Sequence, residues 1–169
     1  MKVNSARFLL STIALLCGLA VAGGAQQTSA SAGLFGAAPI EGSWRVSVQL
    51  KDCTSGNPIG DPFQSLVSLS RGGVQVETTS NPSFYPAERG PGHGNWSVLG
   101  PNLYGANSMA FITNQGQLAK IQTISQQIQY DRHSDTWTST AVVQFFDPSG
   151  HLVASGCAWA SAARFPQQQ

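Results

Sequence analysis

The sequence predicts an all-β protein, an eight-stranded antiparallel up-and-down barrel, and three observations carry that prediction. Apolar and polar residues alternate with period two through most of residues 41–165, the spacing of strands with one buried face. Turn chemistry interrupts the alternation at Arg71-Gly72-Gly73, Gly100-Pro101-Asn102, Asn114-Gln115-Gly116 and Asp147-Pro148-Ser149-Gly150. The strands so delimited number eight, and closing an even set of antiparallel strands leaves no free edge. A β-sandwich is the alternative architecture.

The segment ahead of the strands has its own chemistry. Lys2 and Arg7 precede the apolar run "FLLSTIALLCGLAVA", and the small residues of "GGAQQ" follow it. That is the pattern of a secretory signal peptide over residues 1–25, cut after Ala25. A lipoprotein anchor through Cys17 fits poorly, because Leu16 stands where such signals place a small residue. No other segment has the length of a membrane helix, so no membrane span is expected. Residues 26–40, rich in Ala, Ser and Gly, read as a flexible lead-in, residues 41–165 as one barrel domain, and residues 166–169 as a disordered tail. The expected location is secreted or periplasmic.

Each strand follows from its own pattern. In "SWRVSVQLKD", Trp44, Val46, Val48 and Leu50 alternate with Ser43, Arg45, Ser47 and Gln49. "CTSGNPIGDP" is a turn-rich connection, and "FQSLVSLS" with "GVQVETTS" forms a hairpin about Gly72-Gly73. Asn81 to Trp96, "NPSFYPAERGPGHGNW", is the one long connection, stiffened by Pro82, Pro86 and Pro91. "NWSVL" and "LYGANSMAFIT" are the next strands. "LAKIQTISQQIQY" is ambiguous, because Leu118, Ile121, Ile124 and Ile128 also share a helical face. Its Thr, Ile and Tyr content and its neighbours favour a strand. "DRHSD" is a hairpin tip, and "TWTSTAVVQFF" and "HLVASGCAWASAARF" complete the set.

Without residues 1–25 the chain keeps seven basic residues against eight acidic ones, with no basic patch, which argues against nucleic acid as a partner. It keeps two cysteines, Cys53 and Cys157. In an exported chain these are expected to pair. The bridge would close a loop of about 100 residues, worth on the order of 4–5 kcal/mol by chain entropy. Barrel closure requires the first and last strands to pair antiparallel, so that opposed residue numbers have a constant sum. Cys53 with Cys157 gives 210 and Trp44 with Arg164 gives 208, which differ by no more than a bulge or diagonal pair allows. The same register lays the Arg164 guanidinium on the Trp44 indole, a favourable cation–π contact.

Gly42-Ser43-Trp44 at the start of the first strand resembles the G-x-W signature of the lipocalins and the wider calycin group. In that family an Arg near the end of the last strand packs on the Trp, and Arg164 stands at the matching position. The match covers two short sites, and the strand count covers the whole domain. The chain also resembles small secreted bacterial proteins. The resemblance implies a lipocalin-like barrel.

The best functional candidate is the barrel interior, since eight strands enclose a space that side chains fill or that holds one small ligand. Small residues recur on the strand faces: Ala106, Ser108 and Ala110, Ser139 and Ala141, Ala154, Gly156, Ala158 and Ala160. Phe84, Tyr85, Arg89 and Trp96 are the expected ligand-contacting residues, with Phe84, Tyr85 and Trp96 closing one mouth. The expected function is non-covalent binding of a small apolar or amphipathic molecule, with no cofactor. One alternative is an isomerase or cyclase in which Glu88 or His93 is the acid/base and Arg89 steadies an anion. Another is a structural or envelope-interaction module with a filled core. No metal site is expected, because the sequence has no H-x-H or H-E-x-x-H spacing and Asp131, His133 and Asp135 read as a solvated hairpin tip.

Overall fold

The structure, a computed structural model, describes residues 38–165. The expected signal peptide, most of the lead-in and the C-terminal tail lie outside the described residues. Among the described residues nine strands follow one another: β1 (Gly42–Lys51), β2 (Pro58–Ser70), β3 (Val74–Thr79), β4 (Glu88–Arg89), β5 (Gly92–Gly100), β6 (Leu103–Asn114), β7 (Gln117–Asp131), β8 (Thr136–Phe146) and β9 (Leu152–Arg164). Strands β1, β2, β3, β5, β6, β7, β8 and β9 pair antiparallel in that order, and β9 returns to β1. Strand β4 pairs with Ile112 and Thr113 at the end of β6, in line with β5, so β4 and β5 act as one interrupted stave. The result is a closed eight-stranded antiparallel barrel with up-and-down topology.

The closing seam runs in one register, from Trp44 opposite Arg164 to Lys51 opposite Cys157. Cys53 lies two residues beyond the end of that ladder, which accounts for the offset between the two number sums. It is bonded to Cys157 with a Cα–Cα distance of 5.2 Å. The ambiguous segment is strand β7, held on both sides by β6 and β8. Strand β2 begins earlier than the turn signals of Pro58, Gly60 and Pro62 suggest. Pro58 and Ile59 pair with Lys51 and Leu50 past a bulge in β2, where residues 60–62 stand opposite Gln49 alone.

The two ends of the barrel differ. At the end where β1 begins, Trp44, Leu69, Tyr104, Ile128, Tyr130 and Trp137 form a solid core. Trp44 meets Tyr130 and Trp137 edge-on, with ring centroids 6.1 Å apart in each pair. Residues 38–40, read from sequence as part of the flexible lead-in, belong to this core instead. They form a turn closed by the Glu41 N–H on the Ala38 carbonyl, and Ile40 is fully buried. The Trp44 indole N–H donates to the Ile40 carbonyl at 3.0 Å.

Arg164 seals this end. Its guanidinium stacks 4.2 Å from the Trp44 ring centroid and donates to the carbonyls of Glu41 and Pro39 at 2.6 Å each. It also grips both oxygens of Asp135, at 2.6 and 3.0 Å. This arrangement is consistent with a lipocalin-like fold.

Candidate functional site

The opposite half of the barrel is hollow. A cavity of about 210 Å³ lies between the strands there. Its apolar wall includes Val48, Leu50, Phe63, Ile124, Val143 and Phe145, while Ala141, Gly156 and Ala158 leave the space those larger side chains do not fill. Phe84, from the 3-10 turn Pro82–Phe84 in the long connection, also lines the cavity and meets Phe145 edge-on at 6.4 Å.

One wall inverts the usual polarity of a soluble barrel. On β3, Val74 and Val76 point out, 48% and 36% exposed, while Gln75 and Glu77 point in, 1% and 5% exposed. On β6, Met109 and Phe111 point out and Ser108 points in. On β7, Gln122 is buried. Two of these inward groups, Glu77 and Gln122, meet Arg89, whose side chain is 2% exposed. The Arg89 guanidinium forms an ion pair with Glu77, donates through Nε to Gln122 Oε1, and donates through Nη1 to the Gly90 carbonyl at 3.0 Å. A charge this deep is tolerated because each guanidinium nitrogen has a partner. Gly92 makes the room: a Cβ there would collide with the Glu77 carboxylate. Three further polar atoms of cavity-lining residues have no protein partner: Gln75 Oε1, Ser108 Oγ and Trp137 Nε1.

The residues singled out from sequence are distributed as follows. Phe84 and Arg89 line the cavity. Tyr85 does not; it is 87% exposed. Trp96 belongs to the closed end, packed on Tyr104 with its indole N–H on the Ser70 carbonyl at 2.9 Å. Strand alternation explains Glu88 and His93, which are both exposed on the outer surface. Arg89 pairs with the buried Ile112, so Glu88 points out. His93 stands on the outer row between Val76 and Met109. Neither lines the cavity, so the acid/base pair expected of them does not form at the interior. Asp135 is engaged by Arg164 and by the Tyr130 hydroxyl at 2.7 Å, and Asp131 accepts from its own hairpin. Among the described residues no group of three or more His, Cys, Asp or Glu is arranged to hold a metal ion.

Gln75 and Glu77 escaped the sequence reading because alternation in "VQVET" does not say which face is inside, and Gln122 because its segment also fits a helical face. The signal was present in the paired barrel: once Trp96 and Tyr104 point inward, the register of β3, β5 and β6 sends Gln75 and Ser108 inward with them.

Fold and site together define a closed antiparallel barrel with one packed end and one hollow end whose interior carries a buried ion pair. No family model matches the chain, and no curated protein does.

Proposed function

We propose that this is an exported binding protein whose hollow half takes one small apolar or amphipathic molecule. The observation that carries the reading is the 210 Å³ cavity, set in a barrel whose other half is packed solid. An engineered apolar cavity of ~150 Å³ holds benzene, so by proportion this one suits a body of roughly eight non-hydrogen atoms. Phe84 at the rim gives the site a cover. Export is supported by the signal-like pattern of residues 1–25 and by the Cys53–Cys157 bridge.

A structural module with a filled core fits the hollow half less well. The isomerase or cyclase reading loses its acid/base candidates, since Glu88 and His93 face away from the cavity.

Native mass spectrometry of protein recovered from an exporting host tests the proposal. A small bound mass, about 110 Da by the same scaling, is expected and should be released on denaturation. The Ala141→Phe variant, which fills the cavity, should lack it. A bound mass that persists in Ala141→Phe, or its absence from the unmodified protein, counts against the reading.

A further inference from the structure

The cavity is banded by polarity at a single level. Gln75 is registered with Gly94, Gly94 with Ser108, Ser108 with Ile124, and Ile124 with Val143. Side chains opposed in register point to the same face of a sheet. The belt is therefore polar over β3 and β6 and apolar over β7 and β8. Gly94 contributes no side chain between Gln75 and Ser108, whose backbones stand two strand spacings, about 10 Å, apart. Gln75 Oε1 and Ser108 Oγ are both buried without a protein partner, a rare condition in native interiors.

The charge at the next level toward the mouth is already balanced. Glu77 and Arg89 neutralise one another, and Nε, Nη1 and Nη2 of Arg89 are all engaged. The Glu77 carboxylate already balances the charge that an anionic ligand would seek, and a second cation would lie beside Arg89. Bringing a net charge into this interior costs desolvation with no free counter-charge to offset it.

We propose that the ligand is net-neutral and carries one group that both donates and accepts hydrogen bonds, a hydroxyl above all, lodged between Gln75 and Ser108 over Gly94. Its O–H donates to Gln75 Oε1 and its oxygen accepts from the Ser108 hydroxyl. Its apolar body lies against Ile124, Val143 and Phe145. The inference rests on the interior-binding reading above and narrows it to a ligand class.

Four probes of matched size test it by titration calorimetry on the intact protein: benzyl alcohol, toluene, benzoate and benzylamine. An apolar cavity with no partner for a hydroxyl penalises it about tenfold or more. Here benzyl alcohol is expected to bind at least as tightly as toluene, and about tenfold more tightly than benzoate or benzylamine. Ser108→Ala removes an unpartnered hydroxyl, so the fold should tolerate it. It should weaken benzyl alcohol about tenfold while toluene stays within about twofold. Gln75→Leu should act in the same direction. Toluene binding tenfold more tightly than the alcohol would show that a bridging water already satisfies the polar pair, and would overturn the inference while leaving the cavity reading intact. So would equal binding of benzoate or benzylamine, or an alcohol affinity unchanged in both variants. Binding of none of the four overturns both.

Discussion

Gly42 and Trp44 show at the scale of single residues why a short motif has its form. Gly42 has φ of 137°, and a Cβ there would collide with Nη1 of Arg164. The glycine is needed because the guanidinium crosses the backbone at that point on its way to the Trp44 face. Gly42→Ala should therefore cost about 2–4 kcal/mol, from backbone strain plus displacement of Arg164. Urea unfolding measures this, and an unchanged midpoint would contradict the assigned role. Asp135 is linked to the same residue. Hydrogen bonds from Arg164, the largest influence, hold its carboxyl below the ordinary carboxylate value. A lowered folded-state value means that Asp135 stabilises the fold above its unfolded value of about 3.9 and loses that contribution as pH falls through the folded one. Its side chain is 46% exposed, so solvent screening keeps the contribution modest. In Arg164→Met the Asp135 carboxyl should titrate higher by NMR, and an unmoved titration would show that Arg164 is not the cause.

The long connection between β3 and β5 is the element that departs most from its expected form. Its prolines and glycines read as a loop, and they do turn the chain. The segment is nonetheless fastened at both ends. The Ser80 N–H bonds the Gln64 carbonyl at 2.9 Å, the Ala87 N–H bonds the Phe84 carbonyl at 2.7 Å, and β4 pairs with β6. Two residues of regular pairing among prolines leave no periodicity to detect, which is why β4 was not legible in the sequence. Phe84→Ala should open the rim. Dissociation of a bound probe should quicken severalfold, at a stability cost of about 1–2 kcal/mol because the ring is only half-buried. Stopped-flow release measures it, and an unchanged off-rate would show that Phe84 does not gate the cavity. The polarity of β3 is a different kind of failure. Val74 and Val76 are good strand residues on the outer face, and only the partner strands decide which face is inside.

At the scale of the whole molecule the barrel divides its labour. The packed end is closed by Ile40, Trp44 and Arg164, and the seam between β1 and β9 runs from there to the disulfide at the other end. The bridge spans 104 residues of chain, and its chain-entropy contribution is on the order of 4–5 kcal/mol. That closure was readable beforehand, because Trp44, Arg164, Cys53 and Cys157 impose nearly one register on two strands far apart in sequence. The hollow half was only partly readable. Its small residues were visible on the strands, but the Glu77–Arg89–Gln122 cluster joins residues from β3, β4 and β7 that no local pattern connects. The central claim is that this half, and not the packed half or the outer surface, receives a small molecule. Methyl NMR during titration with benzyl alcohol tests it most directly. Shifts concentrated at Val48, Leu50, Ile124 and Val143 are expected, with Leu69 and Ile128 unmoved. Shifts centred on the outward-facing Val74, Val98 or Leu152, or no shifts at all, would contradict it.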